Sequence, residues 1–421
     1  MKKQKSQKIF FILFWILTVI ITSIWSYENT DKLESIKSYF LKSKKPKVLA
    51  NTEEVFVKPA NSFLVEVSKV ISLSEKTAFV VFDKNFSNFD ESLIKIYTQN
   101  GYVINQLKAK KLNLPNSFTL RRNGGVKTVF FHNNKDYALI SSSKAACFYA
   151  SIVALENGKE IFKTKCLPGP QEITDFNGLG SANIHLNNKI YLSLGTPEQH
   201  STEISYLAQD KNSMFGKIVE IDKDDLDNIN LKQENNLKLK IFTMGHRTPQ
   251  GLTKINNVIF NTEHGPKGGD ELNKVIAGKN YGWPLVSYGT RYHYDNDAKS
   301  FKINHENNNF EEPLYAFVPS IGISSLNVCP EVLKNYYKKP CLIALSLSGN
   351  VAMPGRSIII YLLNNDLNKI HSIEKIYLED GLRLRHFVTN SKNELYEDEN
   401  GHIYVSIDKI GIYRINFYKF R

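Results

Sequence analysis

Polar turns that run straight into β-branched and aromatic residues recur along most of the chain. HNNKDYALISSS (132–143), LNNKIYLSLG (186–195), INNVIFNTE (255–263), YKKPCLIALSLSG (337–349) and DENGHIYVSID (398–408) share this form. Asn, Gly, Pro or Lys opens each run, and the Val, Ile, Leu, Tyr and Phe that follow favour a pleated backbone with a buried face. Their starts lie about 55 to 85 residues apart, with no long apolar pattern of helical period between them. Serial antiparallel sheets of this kind predict an all-β fold, a β-propeller in which radial repetition leaves only short edges. The span 51–421 divides into about six blades of four strands. A pair of packed β-sandwiches is the alternative arrangement.

Upstream the pattern changes. MKKQKSQK (1–8) carries four lysines, and IFFILFWILTVIITSIWSY (9–27) carries no charge. At about 1.5 Å of rise per residue, a helix over 9–27 crosses a hydrocarbon core about 30 Å thick. The preceding lysines predict a cytoplasmic tail at 1–8, a transmembrane signal-anchor helix at 9–27, and a chain exported beyond it. Bulky Ile24, Trp25 and Tyr27 argue against a cleaved signal peptide, although cleavage would export the domain equally. Residues 28–50 are polar and basic and read as a linker. Four cysteines without a CxxC pair suit an oxidising compartment. The pairing Cys147–Cys166 and Cys329–Cys341 closes the shortest loops of the three connectivities open to them.

Composition narrows the function classes. The 421 residues are 42% hydrophobic and 12% aromatic, as in a folded globular protein. The formal net charge of +12 comes from lysines dispersed along the whole chain. With no basic helix or aromatic–basic ladder, the charge reads as a solvated surface, and no nucleic-acid partner is expected.

The densest chemistry lies in MGHRTPQGL (244–252) and NTEHGPKGGDELNKVIAGKNYGWP (261–284). In order and spacing these segments resemble the signature of the soluble PQQ-dependent aldose sugar dehydrogenases, the glucose/sorbosone dehydrogenases. AQDKNSMFGKIVEID (208–222) and GLRLRHF (381–387) extend the resemblance more weakly, from about residue 125 to the C-terminus. The resemblance implies a six-bladed propeller that binds pyrroloquinoline quinone (PQQ) and calcium and oxidises the C1 hydroxyl of a sugar. It carries cofactor contacts over to Arg247, Tyr292, Arg383 and Arg385. PQQ is a planar tricarboxylate, and guanidinium groups pair bidentately with carboxylates. Arg383 and Arg385, one residue apart, share a face if they lie on a strand. Calcium prefers oxygen ligands. The resemblance gives one ion to the carbonyls of Gly265 and Pro266 beside PQQ, and a structural ion to Glu271 and the Tyr281 carbonyl.

The chain departs from this pattern where the chemistry is done. Aligned on Gly180-Ser181, the family's histidine base falls on Gly178, which has no titratable group, and His185 reads as a structural residue of the next strand. Thr248 stands where the family usually has Asn, Thr196 where it has Asp, and Ser348 where a cofactor-binding lysine is expected. A general base is worth roughly 10²–10⁴ in rate, so the standard activity is expected to be crippled while the binding shell persists. Two functions follow: sugar oxidation with PQQ and calcium through another base, or a non-catalytic propeller that binds a glycan or protein partner.

Overall fold

The computed structural model describes residues 48–50, 55–59, 63–82, 93–198, 200, 202–230, 233, 236–292, 301–302, 304–348, 356–378 and 382–419. The expected tail, anchor helix and most of the linker (1–47) lie outside the described residues. Among the described residues no helix is long and apolar enough to cross a membrane.

Six antiparallel sheets, the predicted number, form the domain. Blade 1 is Thr77–Phe82, Ile94–Thr98, Tyr102–Asn105 and Lys108–Lys111. Blade 2 is Val126–His132, Lys135–Lys144, Cys147–Ala154 and Lys159–Lys163. Blade 3 is Asn183–Leu186, Lys189–Leu194, Lys217–Asp222 and Lys240–Met244. Blade 4 is Thr248–Ile255, Val258–His264, Asp270–Val275 and Tyr315–Phe317. Blade 5 is Ile323–Val328, Cys341–Ser346, Ser357–Leu363 and Ile370–Tyr377. In blade 6, Leu384–Phe387, Ile403–Ile407 and Gly411–Lys419 are joined by an N-terminal strand, Phe63–Leu73, which also pairs with Val48–Ala50 and Val55–Pro59. The first strand of each blade touches the first strand of the next, and that of blade 6 touches that of blade 1. These six strands form a closed ring around a central channel.

The turn signals do what their chemistry predicts. Asn133-Asn134, Asn187-Asn188 and Asn256-Asn257 join the first and second strands of blades 2, 3 and 4. Asn133, Asn134, Asn187 and Asn256 have positive φ, which asparagine tolerates better than other residues with a Cβ. The second strands of blades 5 and 6, Cys341–Ser346 and Ile403–Ile407, are buried along their whole length, because each blade is covered on both faces. One apolar cluster fills each interface between blades. Ile190, Leu192 and Val219 of blade 3 pack on Phe130, Leu139 and Ile152 of blade 2. Ile403 and Val405 of blade 6 pack on Ile343 and Ile360 of blade 5. Each such side chain contributes about 1.5–3 kcal/mol on burial.

The ring is closed by chain ends far apart in sequence: Phe63–Leu73 pairs with Gly411–Lys419 from Phe63↔Lys419 to Ser72↔Gly411. The two disulfides have the predicted pairing, Cys147–Cys166 on blade 2 and Cys329–Cys341 around the short helix Glu331–Tyr337 of blade 5.

Candidate active site at the channel mouth

At one end of the channel, the residues that enter the first strands of blades 3 to 6 and the turns between second and third strands enclose a cavity of about 680 Å³. The Asn-Asn hairpins lie at the other end of their strands. Arg247, Tyr292, Arg383, Gly265 and Pro266 all line this cavity, with Gly178, Thr248 and Ser348 beside them.

Arg247 immediately precedes the first strand of blade 4 and is 8% exposed. Its Nη1 donates to the carbonyl of Gly265 at 2.6 Å and to that of His264 at 3.3 Å. The guanidinium lies 5.1 Å from the ring centroid of Trp283, a cation–π contact. Trp283 is fixed in turn by the Asn280–Pro284 corner. Tyr281 N donates to Met244 O and Trp283 N to Gly245 O, and Gln209 Nε2 donates to Trp283 O at 2.6 Å. The Tyr-Gly-Trp-Pro motif therefore builds the shelf under Arg247.

The Gly265–Asp270 turn is held by one buried carboxylate. Asp270 accepts from Gly265 N through Oδ1, and from Ile321 N and Ile323 N through Oδ2. A Cβ on Gly265 would lie 2.3 Å from the carbonyls of Gly268 and Gly269, so glycine is needed for the fold-back. Thr248 Oγ1, His264 Nε2 and Ser320 Oγ, on the cavity walls, are buried without a hydrogen-bond partner among the described residues. Leaving such an atom unsatisfied costs about 1–3 kcal/mol.

Arg383 and Arg385 diverge in their surroundings although both reach Asp408. Arg383 lines the cavity, its Nε 3.6 Å from Asp408 Oδ2. Arg385 occupies a bulge in the first strand of blade 6 and does not line the cavity; its Nε and Nη2 both donate to Asp408, the latter at 2.6 Å. Burial pushes the Asp408 carboxyl up, but the bonds and charge of Arg385 outweigh it and hold Asp408 below the usual carboxylate range.

Glu271 and Tyr281 belong to a separate, buried layer. Glu271 sits opposite Glu263 across neighbouring strands, and Asn273 Nδ2 donates to both carboxyl groups, at 3.2 and 3.3 Å. His246 Nδ1 is 3.2 Å from Glu263, and its ring stacks on Tyr281 at 4.6 Å. Burial pushes Glu263 up to about 7, and burial together with the charge of Glu263 pushes Glu271 well above the usual range. Among the described residues no group of three or more His, Cys, Asp or Glu is arranged to hold a metal ion.

Gly178 lies in the tight turn Phe176–Leu179, and a Cβ there would lie 2.2 Å from Thr196 O and 2.3 Å from Glu198 O. No side chain of any kind fits. His185, in the first strand of blade 3, does not line the cavity, and burial pushes it down to about 3. Sequence reasoning did not single out Glu198, His200 or His264, which also line the cavity. Glu198 and His200 fall past a strand end with no local motif. His264 is the variable position of the Glu-x-Gly-Pro segment, which carries no signal of its own.

Residues 140–410 match the glucose/sorbosone dehydrogenase family. The chain belongs to that family. Among curated glucose/sorbosone dehydrogenase relatives, the aldose sugar dehydrogenase YliI of Escherichia coli is 29% identical over 215 residues, 49% of this chain and 53% of its own length. Quinoprotein glucose dehydrogenase B of Acinetobacter calcoaceticus is 34% identical over 103 residues, 24% of this chain and 22% of its own. The chain spans about half or less of the length of the curated relatives it matches. Solved glucose/sorbosone dehydrogenase structures share the fold. A glucose dehydrogenase superposes with a TM-score of 0.62 at 20% identity, over 83% of this chain and 98% of that one. The apo soluble aldose sugar dehydrogenase of Escherichia coli gives 0.61 at 18%, over 86% and 99%. A PQQ-bound aldose sugar dehydrogenase of Streptomyces coelicolor gives 0.54 at 14%, over 86% and 99%.

Proposed function

We propose that this propeller is a PQQ-dependent oxidoreductase that oxidises the C1 hydroxyl of an aldose or a related sugar alcohol at the mouth of its channel. The observation that carries the reading is the wall of one cavity. Two guanidinium groups, Arg247 and Arg383, face it together with three unpartnered polar atoms, on Thr248, His264 and Ser320. That donor set suits a flat polyanion with ring carbonyls. Arg247 and Arg383 would hold carboxylates, Thr248 and Ser320 would donate to ring or carboxyl oxygens, and Tyr292 would cover one side. When bound, PQQ supplies a two-electron acceptor for a hydride. Arg385, tied to Asp408, would stiffen the wall behind Arg383.

Calcium fits less completely. The Gly265 carbonyl already accepts from Arg247, which leaves it one lone pair for an ion beside PQQ, with Pro266 as its neighbour. Glu271 and Glu263 form a buried acidic pair that a divalent cation would allow to ionise, and this supports a structural calcium at Glu271 and the Tyr281 carbonyl. We further propose that the chain is exported and anchored by residues 9–27; the two disulfides support an oxidising surrounding.

One observation favours the second reading, a non-catalytic propeller that binds a glycan or protein partner. The turn at Gly178 has no room for the histidine on which the family's standard chemistry rests. Dye reduction with aldoses by the purified chain, loaded with PQQ and calcium, separates the two. Turnover supports the oxidoreductase; tight PQQ binding without turnover supports the binding module.

A further inference from the structure

An enzyme of the proposed kind needs a proton acceptor next to the sugar hydroxyl, and Gly178 supplies none. Four titratable groups of suitable type line the same cavity: Glu198, His264, His200 and Asp270, the last with its carboxyl taken by the N–H groups of Gly265, Ile321 and Ile323. Glu198 is 2% exposed, and its carboxyl is occupied by its own turn, accepting from Ser205 Oγ on one oxygen and from Thr202 Oγ1 and N on the other. His264 is held by a backbone hydrogen bond with Ile323 and adjoins the Gly265-Pro266 turn. His200 lines the same cavity as Gly178.

The loop between the second and third strands of blade 3 delivers it there. Its first residues pack beside the Gly178 turn, Gly195 N donating to Leu179 O and Asp175 N to Pro197 O, and on the entry to blade 4, Thr196 N donating to Arg247 O. The buried carboxyl of Glu198 then ties down Thr202 and Ser205, and His200, in the same loop, lines the cavity with Gly178. The His200 ring meets that of Tyr292 edge to face, with centroids 5.3 Å apart. Asp175, which also accepts from Asn123 Nδ2 and Asn177 N, interacts electrostatically with His200. The segment whose carbonyls exclude a side chain at Gly178 thus belongs to the loop that brings His200 to the cavity.

We propose that His200 is the general base of this site, replacing from a neighbouring loop the histidine that Gly178 cannot supply. The inference rests on the oxidoreductase reading above. In the step, a ring nitrogen of His200 takes the proton of the C1 hydroxyl. The O–H and C1–H bonds would break and C1–O become a carbonyl, with PQQ, when bound, supplying the acceptor for the C1 hydrogen and its electron pair. His200⁺ then returns its proton to solvent. The Tyr292 ring meets His200 directly, and Arg247, Arg383, Glu198, His264 and Asp270 line the rest of the cavity.

The test uses the full chain, its His200→Gln and Asp175→Asn variants, PQQ as probe, and two kinds of readout. By absorbance titration, H200Q is expected to bind PQQ within a few-fold of the parent while its kcat with an aldose falls roughly 10²–10⁴-fold and the acid limb of the pH–rate profile disappears. By NMR of isotope-labelled histidine, the His200 resonance, assigned by its loss in H200Q, is expected to shift on addition of PQQ. Its pKa is expected to fall in D175N, since an anion beside imidazolium is removed. Turnover by H200Q within a few-fold of the parent, or a His200 resonance indifferent to PQQ, overturns the assignment while leaving the quinoprotein reading intact. A parent chain that binds PQQ yet turns over no aldose overturns His200 as base. A parent chain that binds no PQQ overturns the quinoprotein reading itself and the assignment with it.

Discussion

Nη1 of Arg247 donates to the carbonyl of Gly265 at 2.6 Å, so the blade 4 arginine and the glycine turn that face the cavity are one rigid unit. Trp283 beneath the guanidinium and Asp270 behind the turn complete it. Lysine cannot reproduce a planar fork that serves two carbonyls, a ring face and a ligand carboxylate at once. Arg247→Lys is expected to weaken PQQ binding by about 1.5–3 kcal/mol, the range for a hydrogen bond to a charged group, or roughly 10- to 150-fold. Titration by absorbance checks it.

A histidine placed at residue 178 should not be accommodated. In Gly178→His the new Cβ meets the carbonyls of Thr196 and Glu198, so the loop that carries His200 must move. The variant is expected to lose at least about 1–3 kcal/mol of stability, as overpacked sites do, and to gain no activity. Calorimetry and dye reduction on the same sample decide it; a stable, more active variant would show that the turn yields.

Stability should depend on pH in two opposed ways. Burial pushes Glu198 up to about 7 from an ordinary value of 4.5. Between those values the folded chain holds a proton that the unfolded chain has released, so stability falls as pH rises through that window and stays lower above it. Burial pushes His185 and His386 down to about 3. There the unfolded chain binds the extra proton, so stability falls as pH drops from 6.5 toward 3. Glu198→Gln is therefore expected to melt higher than the parent at pH 8, by an amount on the order of 1–3 kcal/mol, and to lose that advantage near pH 4.5.

The blades were legible because their turns are local. Asn-Asn pairs at 133–134, 187–188 and 256–257 force left-handed residues and hence hairpins, and the runs after them are β-branched whichever blade they join. Blade 1 was opaque: its outer strand is KAKK, with three lysines and no apolar pattern. Ring closure by Phe63–Leu73 was equally hidden, since its partner Gly411–Lys419 comes from the far end of the sequence. Motif matching gathered Arg247, Gly265, Pro266, Tyr292 and Arg383 on one cavity, but it did not separate Arg385, turned to Asp408 by a bulge that breaks the two-residue alternation. Nor could it find His200, which reaches the cavity from the loop after the second strand of blade 3, where no local motif marks it.

The acidic pair Glu263–Glu271 gives the calcium proposal its own check. Chelation is expected to lower the melting temperature of the parent by several degrees, and Glu271→Gln to abolish that response, because a neutral amide no longer pairs with the ion. An unchanged melting temperature on chelation would leave the pair as a proton-sharing structural element.

The most direct measurement is equilibrium titration of PQQ into the purified full chain, alongside Arg247→Gln and Arg383→Gln. Saturable binding by the parent, weakened at least tenfold by each substitution and more by both, is the predicted result. No binding by the parent, or binding that neither substitution alters, would contradict a PQQ site at the channel mouth.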